Sequence, residues 1–141
     1  MDVPVLVRLM IDDDVPWMID LARRRYTKFP YDFISSEGWF RHIVLKSPLV
    51  FYPARAPNAF TVSMLSHEPW HPADFVTNVI FTCAEEGHMW EVVHLLRDSI
   101  EVAKKRRCTS WRIWSDTDYD IGHLARRVGA KQVMPRYELR L

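Results

Sequence analysis

Residues 89–107 impose the tightest constraint on what this chain folds into. Met89, Val92, Val93, Leu96, Ile100 and Ala103 recur at three- and four-residue spacing, so they form one apolar stripe of a long helix. Lys104-Lys105-Arg106-Arg107 closes it, with basic residues at the negative end of the helix dipole. A helix with a single apolar stripe must bury that stripe against another layer. The flanking segments are strand-like: residues 75–83 are a β-branched and aromatic run, and residues 111–115 a shorter one. Ala84-Glu85-Glu86-Gly87 joins the first of these strands to the helix.

The rest of the chain supplies further elements. Residues 5–10 read as an opening strand. Asp14 or Asp13 then caps a helix with Pro16 in its first turn, where a missing N–H costs nothing. Val15, Met18, Ile19, Ala22 and Tyr26 carry its period. Ser35-Ser36-Glu37 is a second capping signal ahead of Trp39, Phe40, Ile43 and Val44, and Pro48 ends that helix. Segments 49–52 and 59–65 read as strands joined across Ala56-Pro57-Asn58. Ile121, Leu124, Ala125 and Val128 mark a short helix stopped at Gly129. Residues 132–134 and 137–141 read as two closing strands. The order is β-α-α-β-β-β-α-β-α-β-β, and no linker or composition shift divides it, so residues 1–141 are expected to be one domain.

Several function classes fall away. The net charge is +1, which gives no field toward nucleic acid. No run of about 18 apolar residues exists, so no membrane span is expected. The N-terminus lacks a signal-peptide pattern, and Cys83 and Cys108 have no metal-type or paired spacing, so a reducing, cytoplasmic setting is expected. His67-Glu68-Pro69-Trp70-His71 spells HExxH, but Pro69 and Pro72 break the helix that zinc binding by that motif needs, so no metal is expected. Six Trp exceed what a core this small needs, which points to other protein subunits as partners.

In element order and at both ends the chain resembles the GNAT N-acetyltransferase superfamily. Val7-Arg8 through Asp14 and on to Leu21 looks like that family's opening strand and acidic turn into its first helix. Leu124-Ala125-Arg126-Arg127-Val128-Gly129-Ala130 resembles its closing helix and stop. The resemblance implies an α/β (α+β) fold: a mixed, mostly antiparallel sheet of about seven strands with about four helices. It implies acetyl-CoA as cofactor, held by the backbone of Phe81, Thr82 and Cys83 on the strand and of Gly87, His88, Met89 and Trp90 at the helix start.

The sequence departs from the family where the chemistry lies. Of the Arg/Gln-x-x-Gly-x-Gly/Ala phosphate signature only Gly87 remains, and Glu85 and Glu86 would repel a diphosphate. Residues 75–83 carry no carboxylate, and Ala125 stands where many members have Tyr. The remaining candidates are Tyr119 as acid and Asp116 or Asp118 as water-relayed base; the alternative is a solvated helix-capping loop. Two readings result. One is an active acetyl-CoA-dependent N-acetyltransferase acting on an amine. The other is a structural or binding module with a degenerate site and no cofactor, similar to GNAT-like accessory or internal proteins of tailed-phage virions. The losses favour the second, in the cytoplasm or within a virion.

Overall fold

The computed structural model describes residues 5–26, 33–68, 70–113, 121–132 and 139. One sheet runs in chain order through β1 (Arg8–Leu9), β2 (Phe51–Ala56), β3 (Ala59–His67), β4 (Phe75–Ala84) and β5 (Ser110–Ile113). Neighbours are antiparallel except β4 and β5, which are parallel. Helix α1 (Val15–Arg25) and the turn Phe40–Val44 that follows α2 (Phe33–Trp39) contribute to the core on one face, and α3 (Met89–Lys105) and α4 (Gly122–Arg127) to that on the other. The described residues thus form five strands and four helices, not about seven strands. The two closing strands expected at 132–134 and 137–141 fall largely outside the described residues, and Gln132 and Leu139 are in no strand. The opening strand is only two residues long. No helix among the described residues is long and apolar enough to cross a membrane.

The bed of α3 explains why this helix organises the sheet. Ala56, Ala59 and Ala84 pair abreast across β2, β3 and β4, and Ala54, Thr61 and Thr82 form the next row. Small side chains let the helix approach closely, and Val92, Leu95 and Leu96 are fully buried there. Each such burial contributes about 1.5–3 kcal/mol. Two polar ties add to this packing. The Tyr52 hydroxyl donates to Asp98 at 2.6 Å, and the Trp111 indole N–H donates to Ser99 Oγ at 2.8 Å.

Strand pairing is regular up to one irregularity. Val62 lies opposite Phe81 and Ser63 opposite Val79, so Ile80 is an extra residue in β4. Val79 packs with the α3 core, whereas Ile80 packs with the α1 core and Phe81 meets Trp39 at the end of α2. Among the described residues β5 pairs with β4 from Val76 to Val79.

Two helix starts differ from expectation. Asp14 makes no side-chain cap to α1. Its buried carboxylate turns back instead, accepting the Ile11 N–H at 2.9 Å and guanidinium bonds from Arg8 at 2.7 and 2.8 Å and Arg55 at 3.0 Å. Two cations offer more than one helical N–H does. Ser35 and Ser36 stand inside α2, because the helix already begins at Phe33. After Trp39 it widens into a π-helical turn, Phe40–Val44, in which the Leu45 N–H reaches back to the Phe40 carbonyl at 3.0 Å.

Asp14 generates a pH prediction. The Arg8 guanidinium foremost lowers its pKa to about 2. A depressed carboxylate pKa gives stability that is present above the unfolded value near 4 and is lost as pH falls toward 2. Asp14→Asn is expected to cost about 2 kcal/mol at pH 7 and to converge with the native chain near pH 2. Urea unfolding of both proteins across that range checks it.

Candidate functional site

The loop between β4 and α3 is built from backbone bonds. The Glu85 N–H donates to the Asn58 carbonyl at 2.8 Å, tying the loop to the β2–β3 turn. Gly87 has φ +81°, a left-handed conformation. A Cβ there would meet nothing within 4 Å, so the glycine serves the turn rather than close packing. The His88 N–H closes the turn onto the Glu85 carbonyl at 3.0 Å. Among the described residues the N–H groups of Glu86, Gly87, Met89 and Trp90 meet no acceptor, at the positive end of α3.

The acidic pair does not act as one charge block. Arg24 on α1 grips Glu85 with two bonds of 2.8 Å and also binds Asp20 at 3.0 Å. The guanidinium holds the Glu85 carboxyl below its ordinary range. Only Glu86 is left exposed and unpaired, so half of the expected repulsion is cancelled.

Beneath the loop lies a carboxylate that the sequence reading passed over. Glu91 is 1% exposed and accepts the Asn58 N–H at 3.0 Å and the Asn58 side-chain amide at 3.1 Å. His88 Nδ1 lies 2.8 Å from Glu91 Oε2, the oxygen that also accepts the Asn58 amide. Glutamate at the third helical position is the sequence signal that identifies such a group. The His88 ring tilts against Trp90, and Trp90, 46% exposed, makes an edge contact with His94.

On the opposite face of the sheet an apolar cavity of about 80 Å³ opens between α1, α2 and the sheet. Met18, Ile19 and Ala22 of α1 form one wall, and Phe60 and Val62 of β3 the floor. Trp39 and Phe81, each more than a third exposed and 6.2 Å apart in an edge-to-face pair, stand at its mouth. The Tyr26 hydroxyl donates to the Thr82 carbonyl on β4.

The backbone expected to hold the cofactor lies on two joined segments, the end of β4 and the turn before α3, and the side chains there go to different places. Gly87, His88, Met89 and Trp90 do form one turn at the start of α3. Phe81 belongs to the cavity mouth, Thr82 is buried on the α3 side, and Cys83 is fully buried in the α1 core. Asp116, Asp118 and Tyr119 lie outside the described residues. His67 ends β3 and His71 lies in the turn beyond, so the HExxH letters do not share a helix face. Glu68 of that motif pairs with Arg112.

Solved structures share this architecture. A ribosomal-protein-alanine N-acetyltransferase from Brucella melitensis biovar Abortus 2308 superposes with TM-score 0.75 at 14% identity, covering 99% of this chain and 100% of its own. A GNAT family acetyltransferase from Staphylococcus aureus gives 0.69 at 12%, covering 99% and 100%. A transcriptional regulator from Bacillus halodurans C-125 gives 0.73 at 15%, covering 98% and 100%. The fold is the GNAT fold. No family model and no curated protein sequence matches the chain. At such identities the likeness fixes the architecture and leaves the chemistry to the residues.

Glu91 supplies a test of how the loop is held. Glu91→Ala strands the Asn58 donors in a buried site and is expected to cost about 1–3 kcal/mol. Amide exchange of residues 85–90 should accelerate in step. Unchanged exchange there, measured by NMR, would disprove the anchor.

Proposed function

We propose that this chain is a GNAT-fold binding module that does not transfer acetyl groups. The lining of the α1/α2 cavity carries the reading. An acyltransferase acting on an amine has to accept a cation and remove its proton. An ammonium entering an apolar cavity sheds its hydration with no counter-charge to replace it. The described residues lining the cavity offer the hydroxyls of Ser36 and Tyr26, and no carboxylate or imidazole. Tyr26 already donates to Thr82, so that hydroxyl is committed to the fold.

The sequence supports the same reading. No Arg or Gln heads the loop at Ala84, and Ala125 replaces the tyrosine that many GNAT members place on the last helix. A subunit role in a larger particle, as in GNAT-like accessory proteins of tailed-phage virions, belongs to this proposal. Trp70 and Trp90, 87% and 46% exposed, are the side chains offered to such a partner.

An acetyl-CoA-dependent N-acetyltransferase is the second reading, and one observation favours it. Arg24 neutralises Glu85, and four N–H groups at the start of α3 remain without an acceptor for a diphosphate to meet. On that reading Asp116, Asp118 and Tyr119 supply the proton transfers.

The two readings part in one assay. Protein, acetyl-CoA and a panel of primary amines are incubated, and coenzyme A release is followed with a thiol-reactive dye. The expected result is release at the protein-free rate. Turnover at about 1 s⁻¹ or faster, the range of ordinary enzymes, would overturn the binding-module reading. Light scattering should in turn give a mass above the 16.7 kDa of one chain.

A further inference from the structure

The cavity between α1, α2 and β3–β4 has features that core packing does not require. Its walls are buried, with Met18, Ile19, Phe60 and Val62 all under a tenth exposed. Its mouth is framed by two large aromatic rings that remain over a third exposed, Trp39 and Phe81. Phe81 comes to this face beside Ile80, the extra residue at the bulge in β4. A bulge that turns an aromatic ring to the rim of a cavity is the kind of irregularity that re-aims a side chain at a site.

We propose that this cavity is a binding site for a small, uncharged aromatic group. Size sets the first limit: about 80 Å³ is roughly half of a cavity that encloses benzene, so a single ring fits only with part of it in the open mouth between Trp39 and Phe81, and a fused polycycle or a peptide does not fit. Lining chemistry sets the second. Rings of Trp39, Phe40, Phe60 and Phe81 surround the space, and aromatic edges and faces favour another ring in offset or edge-to-face contact. A charged group would lose its hydration there, so ammonium and carboxylate ligands are excluded. The Met18 thioether adds a soft contact that adapts to a flat ligand.

The inference names the ligand class of the binding module proposed above and rests on that reading. Benzyl alcohol is a suitable probe because it contains neither thioester nor amine. Its binding is therefore scored apart from acetyl transfer, and either proposal can fail alone. Thermal unfolding and calorimetry are run with millimolar benzyl alcohol, with butylamine as the charged aliphatic control. Benzyl alcohol is expected to raise the melting temperature of the native chain by about 2–4 °C, the scale of roughly 1 kcal/mol for a domain of this size, and butylamine to leave it unchanged.

Ala22→Phe fills the cavity from α1 and should abolish that rise. Phe81→Ala, at the exposed mouth where folding is little affected, should weaken binding about tenfold. Lys104→Ala, on α3 at the other side of the sheet, should leave it intact. No shift and no heat with benzyl alcohol would overturn the proposal, as would equal binding by native, Ala22→Phe and Phe81→Ala proteins.

Discussion

The close seat of α3 on the sheet is the constraint from which the rest of the structure follows. It depends on side chains that are nearly absent: Ala54, Ala56, Ala59 and Ala84 keep the sheet flat enough beneath Val92, Leu95 and Leu96. A larger residue in that bed would lift the helix and strain its neighbours. The helix is then locked at several points along its length. Glu91 binds the β2–β3 turn through Asn58, Asp98 takes the Tyr52 hydroxyl, and Ser99 takes the Trp111 indole. The start of the helix, and with it the loop carrying the exposed backbone donors, is therefore placed by ties from the helix's own side chains to the sheet.

The two faces of the sheet carry different chemistry. The α3 face ends in a polar turn where peptide N–H groups, Glu86 and two histidines meet solvent. The α1/α2 face opens an apolar cavity whose polar atoms are hydroxyls, one of them held by β4. A transferase needs both faces to cooperate on one reacting centre. Here the described residues give a donor turn on one side and a ring-lined space on the other, without a proton-transfer group in the latter. That separation is the ground on which the binding-module proposal rests.

Much of the architecture was legible because it rests on periodicity. The stripe from Met89 to Ala103 and the run at 75–83 each reappear as α3 and β4 within a residue or two. The spacing around Ala56-Pro57-Asn58 likewise gave the hairpin. Features that depend on partners distant in sequence were hidden. Asp14 carries a capping residue's chemistry, yet Arg55, 41 positions away, redirects it. Glu85 looks like an obstacle to phosphate until Arg24, 61 positions away, is seen to hold it. The bulge at Ile80 leaves no mark in the local pattern, since Val, Ile and Phe suit either face of a strand. The cavity was invisible for the same reason: Met18, Ile19 and Phe60 read as core, and only their arrangement leaves a space.

The extra residue in β4 has a consequence for how this strand can change over time. Side chains there can be exchanged for others of similar size, because each substitution disturbs one contact. Chain length cannot vary in the same way. The exception is Ile80: without it Val79 and Phe81 would stand side by side opposite Ser63 and Val62, so the pairing would become regular and every other side chain would keep its face. Removing Thr77 or Thr82 would instead exchange the faces of the side chains on one side of the gap. The segment is thus tolerant in composition but tolerant in count only at Ile80, and length changes in relatives of this chain should fall there or in the connections outside residues 76–84.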